Sequence, residues 1–310
     1  MQQHLLSEVA SHVDRLVLIP VKRLNQLREE LELFQKEEEL NGFQRWIVEE
    51  LYQYNYPDAG FDVKSILLVA LVHPFYAEVG LSWQGTEYRV KSLVMPDFEA
   101  AGDWIEECFN KVGYHCSSAD NLPLKRLSVQ SGLADYGRNN ITYIEGLGSN
   151  ISYNAYYTDI PCEEDNWRPV TMAESCRNCM LCIKNCPTGA IRPERFLIDN
   201  QRCLSTLNEV PGEFPQWLPD SVHHTMYDCL RCQENCPMNK EHKDDVLQSV
   251  RFSEEETRQL LEGAPYETFS ESMKSRTKLL GLDGCLPALP RNIGVLLKHE
   301  AEFNGEAPAL

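Results

Sequence analysis

Apolar and polar positions along the first half of the chain predict helices and strands in turn. Apolar residues at three- and four-residue spacing, such as Leu24, Leu27 and Leu31, predict that roughly the first sixty residues are helical. The run ILLVALV at residues 66–72 is continuously apolar and predicts a buried strand. Residues 97–114 begin with acidic side chains and end near a glycine, a pattern that predicts a capped helix.

The same pattern continues to about residue 163. LPLKRLSVQSGL, residues 122–133, predicts a helix, and residues 139–146 and 149–160 have the alternation typical of strands. Because helices and strands alternate, we expect residues 1–163 to form an α/β domain. Residues 241–310 contain a capping box in SEEETRQLLEG and predict a helical C-terminal extension.

Composition places the chain among globular proteins. It has 310 residues, of which 43% are hydrophobic and 25% charged, enough for one large domain or two. No apolar run is long enough to span a membrane, and the N-terminal MQQHLLSEVASHVDR lacks the features of a signal peptide. We therefore expect a cytoplasmic protein with no membrane partner. The formal net charge of −18 disfavours nucleic acid as a partner, because phosphate backbones are repelled by an acidic surface.

Seven of the twelve cysteines lie in two closely spaced sets. The first reads C-x2-C-x2-C-x3-C-P and starts at Cys176, and the second reads C-x2-C-x3-C-P and starts at Cys229. A lone cysteine, Cys203, lies between them. In a reducing compartment, cysteines at such spacing indicate metal ligands rather than disulfides.

The first spacing is that of two-cluster ferredoxins, in which the last cysteine of each set ligates the other cluster. The rule predicts a ferredoxin-like double 4Fe-4S domain over residues 164–240. The ligands of cluster 1 are then Cys176, Cys179, Cys182 and Cys236. The ligands of cluster 2 are Cys186, Cys203, Cys229 and Cys232.

The alternative metal is structural zinc, since C-x2-C pairs also bind zinc. Zinc favours two separate pairs, and a set of three cysteines followed by C-P fits that pattern poorly. The remaining cysteines have no matching spacing, and we expect them to be core or spectator thiols: Cys108, Cys116, Cys162 and Cys285.

The order of these motifs resembles a known family. SGLADYGRNN at residues 131–140 and GLGSNISYNAYYTDI at residues 146–160 precede the two cysteine sets and the lone cysteine. This arrangement is similar to epoxyqueuosine reductase and its relatives, which include the reductive dehalogenases. The resemblance covers roughly residues 60–240.

The resemblance implies that the N-terminal domain is nitroreductase-like and holds a cobalamin. The residues that it points to as cofactor-binding are Gly132, Gly137, Arg138, Asn139, Asn140, Gly148 and Ser149. Glycines would let the backbone approach a large flat ligand, but the same residues also serve as ordinary turn residues. The family's catalytic proton donor matches Asp120, for which a turn or helix-capping role is the alternative.

The implied function is that of an iron–sulfur oxidoreductase. Two 4Fe-4S clusters would pass electrons from a ferredoxin or flavodoxin to cobalamin, and the substrate would be a small molecule or a tRNA-borne group. One alternative is an epoxyqueuosine reductase of tRNA queuosine biosynthesis. Another is a non-catalytic, ferredoxin-like electron-transfer protein whose N-terminal domain docks a partner.

Overall fold

The computed structural model describes residues 2–56 and 59–304, except for the side chains of residues 37, 249 and 299–304. The strands in these ranges are β1 (Arg15–Pro20), β2 (Ser65–Val72), β3 (Tyr76–Trp83), β4 (Thr86–Ser92), β5 (Cys116–Ser118), β6 (Asp135–Tyr136), β7 (Thr142–Tyr143), β8 (Ile151–Thr158) and β9 (Val246–Phe252). The α-helices are α1 (Gln2–Val9), α2 (Arg23–Glu37), α3 (Gly42–Trp46), α4 (Phe98–Lys111), α5 (Leu124–Gln130), α6 (Leu181–Asn185), α7 (Leu204–Glu209), α8 (Arg231–Glu234), α9 (Glu254–Leu261), α10 (Glu271–Leu279) and α11 (Leu289–Asn304).

The chain forms two compact units, and their boundaries in the sequence differ from those of the three predicted domains. The first unit contains the residues up to Val72 together with Pro96–Cys179. The second contains His73–Met95 together with the residues from Met180 onward. The hairpin of β3 and β4 belongs to the second unit because β3 pairs in parallel with β9.

A four-stranded antiparallel sheet in the order β1-β2-β8-β5 forms the centre of the first unit. Alternate side chains of β2 enter two separate cores, Ile66 and Leu68 on one face and Leu67 and Val69 on the other. Residues of α2 and α5 pack in the first core, and residues of α1 and α4 pack in the second. A strand covered on both faces must be apolar throughout, which explains the predicted buried run.

Several local predictions are confirmed in this unit, and one is wrong in part. Helix α4 begins after its cap Asp97, whose side chain accepts from the Ala100 amide, and its last turn is followed by Gly113 at φ +75°. The expectation that the first sixty residues are all helical misses β1. The segment RLVLIP forms an edge strand because it pairs antiparallel with β2, with Leu18 opposite Leu67.

The second unit is built on a three-stranded sheet in the order β4-β3-β9. Gln84 and Gly85 both have positive φ and make the two-residue turn between β3 and β4. Helices α9 and α11 contact this sheet and contribute Leu260 and Ile293 to its core. The predicted helical extension is therefore interrupted by β9, whose register on β3 supplies backbone partners that the sequence pattern did not reveal.

No helix within the described ranges combines the length and the hydropathy needed to cross a lipid bilayer.

Candidate metal centre

The first cysteine loop is held by an arginine of the SGLADYGRNN motif. Within the first unit, Arg138 Nη2 donates to the carbonyl oxygens of Cys176 at 2.7 Å and Arg177 at 3.2 Å, and Nε donates to that of Cys179 at 3.0 Å. The Cys179 amide also donates to the Cys176 carbonyl at 3.3 Å. The guanidinium of Arg138 thus binds three carbonyls of one loop and fixes that loop, which carries the predicted ligands Cys176 and Cys179.

The remaining cysteines of both sets lie in the second unit. Cys182 lies in α6 and Cys232 in α8, and these two short helices contact each other. Pro237, directly after Cys236, occupies the first turn of a 3-10 helix, a position that tolerates its missing amide hydrogen.

Asp228 joins the lone cysteine to the second set. The hydroxyl of Ser205, two residues after Cys203, donates to the Asp228 carboxylate, and the Cys229 amide donates to the same oxygen at 2.6 Å. Asn208 of α7 donates through Nδ2 to the Asp228 carbonyl at 2.8 Å. Asp228 has φ +63°, a left-handed conformation that aspartate tolerates better than most residues. These bonds fix Cys203 and Cys229 relative to each other.

Three thiols predicted to bind cluster 2 are electrostatic neighbours. Burial raises the pKa of the Cys229 thiol, and the nearby groups that raise it further include Asp228, Cys203 and Cys186. Burial likewise raises the pKa of the Cys203 thiol. The thiolate is the metal ligand, so a bound metal would displace these protons.

All twelve cysteines are free of disulfides. Among the side chains that the structure describes, no three of His, Cys, Asp or Glu converge as the ligands of one metal ion would. A four-iron cube spreads its thiolates around a larger body than a single zinc ion with Zn–S bonds of about 2.3 Å. The four predicted ligands of cluster 2 all lie in the second unit. Those of cluster 1 come from both units, and the interleaved assignment stays a prediction.

The predicted cofactor-binding residues follow α5 in the first unit. Gly132 is exposed, has φ +82°, and would meet nothing within 4 Å if it carried a Cβ. Asn140 has φ +61°, and the 144–148 turn closes with the Gly148 amide donating to the Ile144 carbonyl at 3.0 Å. Ser149 is 7% exposed. These residues remain predictions as cofactor contacts.

Two members of this predicted group have structural contacts that account for them. A Cβ on Gly137 would lie 2.6 Å from both Asn139 Oδ1 and Tyr143 Cε2, so glycine is required there by internal packing. Asn139 is 3% exposed and donates through Nδ2 to the Tyr143 hydroxyl at 2.9 Å. Arg138, as described above, holds the first cysteine loop.

Four buried polar atoms near α5 have no hydrogen-bond partner within the described residues. They are Tyr54 Oη, Arg126 Nε, Gln130 Oε1 and Trp167 Nε1. The Gln130 side chain is fully buried, and its Nε2 donates to Glu30. Buried polar atoms are rarely left without partners, so these four are available to a ligand or to water.

Asp120 lies on an exposed turn between β5 and α5. Its carboxylate accepts from the Ser118 hydroxyl at 2.6 Å, and Asn121 beside it has φ +60°. These contacts are those expected if Asp120 serves as a turn residue, the alternative to a catalytic role. The role of proton donor stays a prediction.

Two residues of the C-terminal helix α11 hold the cysteine region through hydrogen bonds to backbone carbonyls. Asn292 is 1% exposed and donates through Nδ2 to the carbonyls of Asn208 at 2.8 Å and Met226 at 3.0 Å. Arg291 donates to the Leu207 carbonyl at 2.7 Å and lies over the Phe214 ring at 3.7 Å. Their contacts to backbone carbonyls 66 to 84 residues away follow from the fold, because sequence spacing does not report pairing at that distance.

The two histidines before Cys229 are shielded from solvent, His223 buried and His224 half-buried. His223 is 3% exposed and its ring lies 4.2 Å from that of Phe214. His224 lies within hydrogen-bond distance of two carbonyls, Val222 at 2.9 Å and Cys229 at 2.6 Å. Trp217, in the same segment between Cys203 and Cys229, is 43% exposed.

Comparison with known families supports the metal chemistry. Residues 175–239 match the family described as a 4Fe-4S double cluster binding domain. This range contains all eight predicted ligands and lies within the predicted segment 164–240. The prediction of two 4Fe-4S clusters is confirmed at this level.

Curated proteins resemble part of the chain. An epoxyqueuosine reductase from Aliivibrio fischeri is 30% identical over 153 residues, which are 49% of this chain and 38% of that protein. A tetrachloroethene reductive dehalogenase from Dehalobacter restrictus is 32% identical over 140 residues, 44% of this chain and 25% of that protein. The predicted resemblance to the epoxyqueuosine reductase-like family is confirmed. The matched region spans less than half the length of these relatives.

Solved structures share the fold over nearly the whole chain. Epoxyqueuosine reductase from Bacillus subtilis aligns with a TM-score of 0.65 and 20% identity, covering 96% of this chain and 81% of that chain. The enzyme from Streptococcus thermophilus aligns with a TM-score of 0.67 and 17% identity, covering 98% and 83%. At these identities the likeness establishes the mixed α/β fold.

Proposed function

We propose that this protein is a cytoplasmic iron–sulfur oxidoreductase that passes electrons through two 4Fe-4S clusters to a cobalamin and thereby reduces a substrate. The observation that carries the proposal is the pair of cysteine sets inside a segment that matches a double-cluster domain. The resemblance to proteins named as reductases supports a catalytic role. We propose that residues 1–163 form a nitroreductase-like domain that holds the cobalamin.

The residues present fit two iron–sulfur clusters. Thiolates are the ligands that such clusters require, and eight are supplied, of which the first four have the spacing of two-cluster ferredoxins. In the second unit, the contact of α6 with α8 brings together two of the cysteine-bearing segments. The neighbouring thiols of Cys186, Cys203 and Cys229 form the electrostatic group expected of shared ligands.

The residues around α5 also fit a large polar cofactor. Gly132 and Asn140 have left-handed backbone, and no atom lies in front of Gly132 within 4 Å. Gln130 Oε1 and Tyr54 Oη lack partners within the described residues and would bind amide or hydroxyl groups of a ligand. We propose that Gly132, Asn140, Gly148 and Ser149 line the cobalamin, and that Gln130 and Tyr54 hydrogen-bond to it.

The bound groups would supply one-electron transfer and cobalt-centred reduction, which no amino-acid side chain provides. The chain's own residues position these groups. Arg138 fixes the first cysteine loop, and Asp228 fixes Cys203 against Cys229. Burial of Cys229 excludes water from its thiol, and hydrogen bonds and solvent access near cluster ligands tune their potentials.

The proposal is tested by anaerobic reconstitution with iron, sulfide and hydroxocobalamin. Two clusters and one corrinoid per chain, retained through gel filtration, are the expected result. Iron and sulfide without corrinoid would instead support the non-catalytic electron carrier. The discriminating signal is the visible spectrum, in which a corrinoid band adds to the broad iron–sulfur absorption.

The substrate class has one specific alternative. Epoxyqueuosine reduction on tRNA is favoured by the likeness to proteins of that name, one of which is described in complex with an epoxyqueuosine-modified tRNA stem loop. The net charge of −18 opposes it, because RNA-binding surfaces gather cations. A stem loop carrying the modification should shift on a native gel at micromolar protein if this alternative holds.

A further inference from the structure

We propose that Trp217 and Arg202 form the docking surface for an acidic one-electron donor protein, of the flavodoxin or ferredoxin class. The inference rests on the proposed function, because it concerns the surface beside the predicted cluster 2. Trp217 is 43% exposed, and the guanidinium of Arg202 lies 4.3 Å from the centre of its ring.

The pair lies directly outside two predicted ligands of cluster 2. Arg202 precedes Cys203, and its Nε donates to the carbonyl of Thr188 at 3.0 Å. Thr188 is two residues after Cys186, and its hydroxyl lies 3.7 Å from the Cys186 thiol. Arg202 therefore joins the loops of both cysteines while its other face carries Trp217.

Trp217 is also adjacent in sequence to a residue that is buried beside the second cysteine set. Leu218, the next residue, is 6% exposed and packs with Leu204 and Cys229 in a small apolar core. Leu218 thus packs against Cys229 in the interior, while Trp217 is exposed and contacts Arg202. Such an exposed tryptophan beside an arginine has the composition of a binding hot spot.

The charge distribution favours an acidic partner here. Residues 175–239 carry six Lys and Arg against seven Asp and Glu, so almost all of the net charge of −18 lies elsewhere. Arg202 has no carboxylate partner within the described residues. A strongly acidic donor would be repelled by most of this protein, and the near-neutral segment with an uncompensated arginine is where it could approach.

Electron transfer at this surface needs only close approach. A reduced donor loses one electron and the iron–sulfur centre gains it, while no bond forms or breaks. The probe is a purified flavodoxin reduced to its hydroquinone. Its binding to cluster-loaded protein is measured by calorimetry in the oxidised state, and its oxidation is followed by stopped flow.

Three substitutions at one position separate packing from charge. Trp217→Ala should weaken flavodoxin binding by about tenfold, the usual scale for a truncated hot spot. Trp217→Glu should weaken it further because the new carboxylate neutralises Arg202, and Trp217→Lys should bind more tightly than Trp217→Glu. This Lys–Glu difference should shrink as the salt concentration rises. Trp46→Ala removes a comparably exposed tryptophan, 48% exposed in α3, and should leave binding unchanged.

Iron content and reduction by dithionite are measured for every variant. If wild type binds two clusters that dithionite reduces but shows no flavodoxin binding, or if all three Trp217 variants bind flavodoxin as wild type does, the docking surface is overturned. If the clusters themselves are absent, the proposed function fails first. An RNA stem loop whose binding depends on Trp217, with flavodoxin binding unaffected, would also overturn the proposal.

Discussion

Arg138 Nη2 donates a 2.7 Å hydrogen bond to the carbonyl oxygen of Cys176, so the motif proposed to face the cofactor also holds the first cysteine loop. The arginine lies one residue after Gly137, whose lack of a side chain leaves room for Tyr143. Both contacts lie within the first unit. Loop and motif are therefore one structural element, although 38 residues separate Arg138 from Cys176 in sequence.

Replacing Arg138 by Gln should remove cluster 1 and retain cluster 2. The substitution breaks hydrogen bonds from a charged donor to three carbonyls, each worth about 1.5–3 kcal/mol in typical proteins. We expect iron per chain to fall by about half, measured by colorimetric assay after anaerobic reconstitution. Arg192→Gln is the control, since Arg192 forms a surface ion pair with Asp199 worth about 0–1 kcal/mol. Full iron content in Arg138→Gln would contradict this role.

Asp228 offers a test that separates hydrogen bonding from backbone strain. Asp228→Asn keeps an acceptor oxygen and tolerates φ +63°, so it should retain cluster 2. Asp228→Gly tolerates the backbone but loses the bonds from Ser205 and Cys229, and it should lose about half of the iron. The electron paramagnetic resonance spectrum of reduced protein reports which signal disappears. The full iron content of wild type in both variants would show that Asp228 does not position the ligands.

Asn292→Ala should destabilise the second unit by about 2–6 kcal/mol. Asn292 is 1% exposed, and its loss leaves two buried carbonyl acceptors without a donor, each costing about 1–3 kcal/mol. Urea unfolding followed by circular dichroism measures the change. Asn110→Ala, at an exposed position of α4, is the matched control and should be within about 0.5 kcal/mol of wild type. A similar small effect at Asn292 would refute the anchoring role of α11.

Gly132→Ala tests the proposed cofactor face. Gly132 has φ +82° and open space in front of it, so the added methyl group strains the backbone and intrudes on any ligand there. Gly85→Ala imposes similar strain at φ +78° in the β3–β4 turn, also with open space, and serves as control. Corrinoid uptake should fall at least tenfold for Gly132→Ala and not for Gly85→Ala, with iron unchanged in both. Equal uptake by the two variants would remove Gly132 from the site.

The elements predicted most accurately from the sequence are those that a local residue pattern determines. The apolar run of β2 and the capped helix α4 are where expected, because burial on two faces and helix caps leave strong local signals. The missed hairpin of β3 and β4 had a usable signal, the Gln84-Gly85 turn between alternating segments. Strand β9 had none, since its place depends on parallel pairing with a strand about 170 residues earlier.

The candidate site likewise contains residues that a sequence pattern predicts and residues that only the folded structure reveals. Cysteine spacing predicts seven of the eight proposed metal ligands, because iron–sulfur chemistry imposes thiolates at short fixed intervals, and Cys203 is added as the cysteine that lies between the two sets. The residues that position the cysteine segments act through contacts that folding creates: the Ser205 hydroxyl donates to Asp228 from 23 residues away, and Asn292 donates to the Asn208 carbonyl from 84 residues away. Arg138 was found by resemblance, but its contacts to the cysteine loop follow from the structure alone.

The decisive measurement is the joint quantification of iron, acid-labile sulfide and zinc in anaerobically purified protein. We expect about eight irons and eight sulfides per chain, from two 4Fe-4S clusters, with zinc near zero. We also expect Cys186→Ser and Cys236→Ser each to lose about half of the iron, with different resonance signals lost. Stoichiometric zinc without sulfide, or the same signal lost in both variants, would contradict two interleaved 4Fe-4S clusters.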